Sequence, residues 1–507
     1  MIRKKTSGIS LILVITFSCN NLQKKGKTHE VKLPNIVLLM GDDHGWDETG
    51  YNGHPFVHTP VLDEMATIGL RFDRFYSAHP TSSPTRGSFL TGRHPNRYGI
   101  FAPGWSLRPE EITIAHILKE SGYKTAHFGK WHVGAVKKES PVNPGAMGFD
   151  EWLSHDNFFE MDPVLSRNGE VPQEIKGEGS EVIIDEAIKF IHQSKTQPFL
   201  TVIWFGSPHE PYSGLPADLA LYENLPDSLA NKDVQITSNE TGEQISRQLR
   251  EVLQERYAEI TAMDRAIGKL RTFLSNHNLK ENTLIMYCGD NGAPASIVRT
   301  GVTLRAQKGS MYEGGIRVPC VIEWPAIIKK PAIVSAISVT TDILPTIAEI
   351  TNHQLPERPI DGISLIPFFS DPSKQRDSSL YFWQFEAKKV FNKNAEPYIA
   401  QELQEGTTPL IKKVAGKHTR NFLNYKYSQI SENDYIGERV VMKGKNKLII
   451  KNQNTDLQNF ELYDIMNDQN EEENIAGKYP EVVKQMQEEL LKWQTSVLKS
   501  LTGADYR

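Results

Sequence analysis

Cysteine is nearly absent from this 507-residue chain: Cys19, Cys288 and Cys320 are the only three, too few for a disulfide framework or a thiolate-rich metal centre. Charge of one sign is also missing. Lys and Arg number 57 against 62 Asp and Glu, for a formal net charge of −5 without any long basic block, so the electrostatic footprint of a nucleic-acid binder is excluded. Beyond the amino terminus no apolar run approaches the roughly 18 residues of a transmembrane helix. With 39% hydrophobic and 23% charged residues, the composition excludes disorder, collagen and coiled coil. What remains is an ordinary globular chain, long enough for two to four compact units or for one large α/β domain with a smaller appendage.

The amino terminus departs from this average. Arg3, Lys4 and Lys5 precede an apolar run over residues 9–17 (ISLILVITF), which has the length of a signal-peptide h-region and is too short to span a bilayer. The pattern predicts a signal peptide over 1–18 and a polar, Lys-rich linker over 19–33, hence export to the periplasm or cell surface. Cys19, directly after the h-region, resembles the lipidation site of bacterial lipoproteins. Anchoring to the outer membrane through a lipid on Cys19 and simple cleavage are the two outcomes this leaves, and the anchor is the only membrane contact expected.

Short continuous apolar runs at 36–40, 199–205, 284–287 and 318–322 read as buried parallel strands. Helical patterns at 60–70, 111–121, 181–193 and about 248–273 lie between them. Alternation of this kind predicts a large, mostly parallel sheet sandwiched by helices, the main domain, over 34–370. From 371 to 507 the texture becomes that of a smaller α+β subdomain: antiparallel strands at 380–385, 439–442, 447–450 and 461–464, closed by an amphipathic helix at 480–498. The polar stretch 386–438 carries few structural signals and reads as a long loop, a candidate wall for a pocket.

In open α/β sheets, reactive groups gather beyond the carboxyl ends of the strands. Gly41-Asp42-Asp43-His44-Gly45 follows the first strand, and Gly289-Asp290-Asn291-Gly292 follows a later one. These are hard oxygen donors, which suit Ca2+ or Mg2+ rather than zinc; helix-capping acids in a loop are the plainer alternative for the first cluster taken alone. Next comes Ser82-Ser83-Pro84-Thr85-Arg86-Gly87-Ser88-Phe89-Leu90-Thr91-Gly92, a Ser-rich turn entering a short helix.

This last segment, Ser-x-Pro-x-Arg followed by three residues and Leu-Thr-Gly, resembles the signature of the type I, formylglycine-dependent sulfatases of the alkaline phosphatase superfamily, in its serine form. Gly122-Tyr123-Lys124-Thr125 running to Gly129-Lys130-Trp131-His132 is similar to a second family element. Ser207-Pro208-His209-Glu210-Pro211-Tyr212, Asp290-Asn291-Gly292 and the run from Lys308-Gly309-Ser310 to Arg317-Val318-Pro319 follow in the family's order. Ser82 stands where many relatives have Cys, Thr85 where Ser or Ala is usual, and Phe128 where a smaller residue precedes Gly-Lys. Residues 141–162 look like the corresponding part of arylsulfatase A and the N-acetylgalactosamine-6-sulfatases.

The resemblance implies a set of roles. Ser82 would be oxidised to formylglycine (3-oxoalanine) by a maturase of the radical type, and its hydrate would be the nucleophile. Asp42, Asp43, Asp290 and Asn291, with residue 82, would hold one Ca2+ per chain. Arg86 would stabilise the hydrate and the metal carboxylates, Lys130 and Lys308 would contact the sulfate, His209 would protonate the leaving oxygen, and His132 would take a proton from the second hydroxyl. His44, His54, His58, His79, His94 and His127 read as structural or exposed, and Cys288 and Cys320 as core residues. The substrate implied is a sulfated oligo- or polysaccharide, either an algal polymer such as ulvan or carrageenan or a glycosaminoglycan. A phosphodiester or phosphonate hydrolase of the same superfamily, and a glycan-binding pseudoenzyme with unmodified Ser82, are the alternatives; Asn291, where a two-metal phosphatase would offer His, disfavours the first.

Overall fold

Strand β1 (Asn35–Gly41) sends alternate side chains into two separate cores, and this period of two organises the molecule. Ile36, Leu38 and Met40 face one core, Val37 and Leu39 the other. The same division holds for β7 (Phe199–Trp204) and β8 (Thr283–Gly289), which flank β1 on either side in parallel. Because both faces are covered, these strands read as unbroken apolar runs. The computed structural model describes Met1, residues 33–295, 304–386, 395–427, 429, 434–451 and 460–506. The expected leader beyond Met1, Cys19 and the linker up to residue 32 lie outside these.

The remaining strands of the central sheet are β2 (Leu70–Phe72), β3 (Lys124–Lys130), β4 (Glu151–His155), β5 (Val164–Arg167), β6 (Gln173–Glu174), β9 (Cys320–Glu323) and β10 (Ala332–Val334). The spatial order is β10-β2-β9-β8-β1-β7-β3-β4-β5-β6. The centre, β8-β1-β7-β3-β4, is parallel, whereas β9 runs antiparallel to β8, and β5 and β6 are antiparallel at the other margin. Helices α2 (Ser82–Thr91) and α3 (Ile114–Glu120) cover one face, and α1 (Pro60–Ile68), α4 (Gly179–Ser194) and α5 (Leu249–Asn276) cover the other. The fold class is the mixed α/β, alkaline phosphatase-like one expected.

Two expectations need correction. Residues 318–322 are not a parallel strand: Arg317–Val318 pairs with Phe75–Tyr76 in a separate three-stranded sheet, and Cys320–Glu323 joins β8 antiparallel. Pro319 divides them, since it has no N–H for a ladder, and burial on both faces removes the alternation that would have revealed the strand's setting. Cys288 and Cys320 face each other across this pair as free, buried core thiols. The stretch 386–438 is not simply a loop, because its described part contains a hairpin, Glu405–Val414 with Lys417–Asn421. Ala415 and Gly416 turn it with φ of 51° and 82°, the type I′ geometry that matches strand twist.

In the C-terminal region, strands Leu380–Gln384, Glu438–Lys443, Asn446–Ile450 and Phe460–Asp464 form a four-stranded antiparallel sheet. One face packs under α6 (Pro480–Leu501) through Trp383, Val441 and Leu448 against Met486, Leu490 and Val497. The other packs Phe382, Val440 and Ile449 on Tyr76, Met311 and Ile316. Among the described residues no helix is long and apolar enough to cross a membrane.

Candidate active site

Register brings the acidic loops together. Gly41 of β1 is paired with Gly289 of β8 in parallel, so Asp42 and Asp290 leave the sheet side by side. The Asp290 amide donates to the Gly41 carbonyl at 3.0 Å, and the Asp43 amide to Asp290 Oδ1 at 2.9 Å. Asp43 takes a left-handed backbone, φ 61°, a conformation that Asp tolerates better than most residues. Ligand atoms of Asp42, Asp43 and Asp290 lie within 4.8 Å of one another, all buried. Asn291 Nδ2 donates to Asp43 Oδ1 at 2.8 Å.

Helix α2 begins at the edge of this trio. Ser82 Oγ, in its first turn, lies 3.2 Å from Asp42 Oδ1 and 3.3 Å from Asn291 Oδ1. One turn on, the buried Arg86 reaches Asp290 Oδ2 at 2.8 Å and Asp42 Oδ1 at 3.5 Å, while its plane lies over the Trp204 ring. Strand β3 delivers Lys130, paired with Asp42. Gly129, φ 97°, is required just before it, because a Cβ would overlap the Trp204 carbonyl of β7. Lys308 pairs with Asp43 at 2.6 Å. Three carboxylates are thus matched by three cations.

The two histidines follow neighbouring strands, β3 and β7. His209, in the loop after β7, places Nε2 3.7 Å from Asp43 Oδ2 and stacks on Phe158 at 4.8 Å. His132, just past β3 with φ 58°, is buried, and neither ring nitrogen has a hydrogen-bond partner. Burial holds both imidazoles neutral: His209 is pushed down to about 3, and His132 well below its ordinary value with help from Lys130 and Arg420. Burial and repulsion from Asp42 push Asp290 up to about 6 against the pull of Arg86. Burial also pushes Asp43 upward, but Lys308, His209 and Lys130 more than reverse this. Lys130 falls to about 8, because its burial outweighs Asp42.

Every site residue singled out from the sequence is therefore in this cluster, apart from Cys19. Sequence reasoning missed the group beneath it. Arg256 of α5 is fully buried, donates to the Asp43 and Pro208 carbonyls at 2.7 and 2.6 Å, and is itself held by Glu48 at 2.6 Å. It clamps the loops bearing Asp43 and His209. The available signal was a charge on the apolar stripe Val252, Leu253, Tyr257, Ile260 and Met263. His44 is structural, bonded to Tyr287 and to the Glu48 carbonyl. Also missed were Phe158 and, on the hairpin, Lys412, whose Nζ is 3.4 Å from Glu210 Oε1.

A buried trio of carboxylates, hard amide and hydroxyl oxygens, and cations gathered around one helix-borne hydroxyl make a site suited to a hard metal ion and an anionic ester. The Sulfatase family profile matches residues 34–353; the chain belongs to the sulfatase family and is a sulfuric ester hydrolase. It is 32% identical over 380 residues to the ulvan-active sulfatase of Formosa agariphila, covering 72% of each chain. To human arylsulfatase A it is 31% identical over 415 residues, 74% of this chain and 76% of that one. Among solved structures, Ps i-CgsB in complex with k-i-k-neocarrahexaose superposes with a TM-score of 0.71 over 92% of this chain and 93% of the other, at 22% identity.

Proposed function

We propose that the enzyme removes sulfate from a sulfated carbohydrate, using formylglycine formed at Ser82 and one Ca2+ held by Asp42, Asp43, Asp290, Asn291 and residue 82. The observation that carries this is the position of Ser82 Oγ, within 3.3 Å of both Asp42 and Asn291 and ringed by Arg86, Lys130 and Lys308. The donor set fits such an ion, since every ligand atom is a hard oxygen and the carboxylates are buried. The ion supplies neutralisation of the sulfuryl charge and a lowered pKa for an adjacent hydroxyl. The hydrated aldehyde supplies two geminal hydroxyls, one to attack sulfur and one whose deprotonation expels sulfate.

The remaining chemistry falls to the chain's own side chains. Lys130 and Lys308 turn from Asp42 and Asp43 to the sulfuryl oxygens, where developing charge makes their donation most valuable. Arg86 stays on Asp290 and keeps the helix end in place. His209 gives a proton from Nε2 to the departing sugar oxygen, aided by Lys308; the negative charge of bound substrate draws its pKa back up. His132, neutral and with both nitrogens free, accepts the proton whose removal releases sulfate.

The saccharide class is supported by the likeness to the ulvan-active sulfatase and to a fold solved with a carrageenan oligosaccharide; a glycosaminoglycan is equally compatible. The leader supports export, with Cys19 as lipid anchor, and a radical maturase in the native host. Mass spectrometry of the peptide containing Ser82, from native-host protein, tests the central claim. Loss of H2 from the serine is expected; an unmodified residue overturns it and leaves a binding protein.

A further inference from the structure

Arg420 is a cation without a counter-charge. It lies on the second hairpin strand, its Nε is buried without a partner, and no carboxylate among the described residues pairs with it. Several buried arginines differ: Arg86, Arg93, Arg97, Arg256 and Arg376 each hold a carboxylate, while buried Arg74 and Arg108 donate instead to the Ile465 and Leu501 carbonyls. Burial alone acts on Arg420, lowering its pKa to about 10. A half-buried guanidinium with its Nε cut off from water and no counter-charge costs free energy that a bound anion would offset.

Its position indicates the use. The guanidinium lies against Gly104, where a Cβ would displace it, and the Gly104 amide donates to Ser83 Oγ at 3.4 Å, next to the nucleophile position. Phe422, two residues along and on the same side, brings its ring to 6.2 Å from that of His132. The hairpin is rigidly held, since Asp156 accepts from the Thr407 and Thr408 amides at 2.7 and 2.8 Å and from the Val136 amide at 2.8 Å. The cation is therefore fixed at the margin of the site on the side of His132.

We propose that Arg420 receives a second anionic group, a carboxylate or a further sulfate, on the same saccharide that carries the scissile ester. The planar fork of a guanidinium pairs bidentately with either anion. The proposal rests on the reading of this cluster as a carbohydrate sulfatase site, and it makes the preferred substrate a multiply charged sugar.

The test compares kcat/KM for three saccharides: a disaccharide of otherwise uncharged sugars carrying a single sulfate, its counterpart containing a uronate, and a disulfated monosaccharide. Wild-type enzyme should prefer at least one doubly charged substrate, and Arg420→Met should lower that preference by about 30-fold or more. Which substrate loses its advantage identifies the anion. Arg420→Met should melt at or above the wild-type temperature, because an uncompensated charge has gone; Arg420→Lys should restore part of the preference. Equal losses on all three substrates would show a purely structural role and overturn the proposal while leaving the carbohydrate sulfatase reading intact. So would a wild-type enzyme indifferent to the second anion. Failure of the matured wild type on every saccharide would remove both.

Discussion

The floor of the site and its rim follow different electrostatic rules. On the floor each acid has its own base: Asp42 with Lys130, Asp43 with Lys308, Asp290 with Arg86. On the rim the charges are mismatched, with Arg420 unpaired and Lys412 loosely on Glu210, and the Glu160 carboxyl, which Lys412 also faces, pushed up to about 8 by burial and Glu255. A balanced floor can fold before any metal arrives, and on the proposed mechanism binding would work by exchange: the ion would take the carboxylates, and the released lysines would take the sulfate. An unbalanced rim has nothing to exchange and so is open to whatever charge the sugar brings. On that mechanism the floor would set the reaction, and the rim would choose the molecule.

The largest expected effect breaks the floor. Ser82→Ala should reduce kcat by about 10^4-fold or more, as loss of a covalent nucleophile does, while Ca2+ binding measured by calorimetry persists through the carboxylates. Chelation should likewise abolish turnover, with recovery on adding Ca2+, yet leave a cooperative unfolding transition because the three ion pairs close the floor. Exchange also predicts reciprocity: inorganic sulfate should tighten Ca2+ binding, and Ca2+ sulfate binding, by the same severalfold factor. Independent binding of the two ions would break the contrast drawn above.

Smaller, but more revealing of what supports the floor, is Arg256→Met. It leaves Glu48 buried without its partner and frees the Asp43 and Pro208 carbonyls. A destabilisation of about 3 kcal/mol is expected by urea denaturation, at the low end for a broken buried pair. The kcat should fall more than KM rises, since Asp43 and His209 lose position rather than identity. The double variant Glu48→Gln with Arg256→Met should recover stability but not kcat.

These regions also differed in how legible they were. The acids after β1 and β8 stand out because strand ends in an α/β sheet are where chemistry gathers, and a parallel register turns two distant motifs into neighbours. Arg256 escaped notice because a buried ion pair within a long helix has no motif of its own, only a phase. The hairpin escaped because its inward positions, Gly406, Thr408 and Leu410, are mostly small or polar and give no apolar alternation to count. The antiparallel direction of β9 was hidden for another reason: an apolar strand buried on both faces carries no information about its partner's direction.

The smallest effect sharpens the rim. Burial and the nearby Glu255 push the Glu160 carboxyl up to about 8, and Lys412 of the hairpin opposes this without reversing it. In the unfolded chain the same group has its ordinary value of 4.5. Between these values the folded protein holds a proton that the unfolded chain has released. The contribution of Glu160 to stability is therefore fully present below about pH 4.5 and lost as pH rises towards 8, at about 1.4 kcal/mol per unit. Asp264, raised to about 7, titrates in the same sense, so the wild-type profile alone does not isolate the effect; the difference between wild type and Glu160→Gln does. The variant should match wild type near pH 5 and be the more stable at pH 8, measured by urea denaturation in matched buffers. Parallel profiles would mean that Glu160 is ionised and paired with Lys412, and the rim would then be as balanced as the floor.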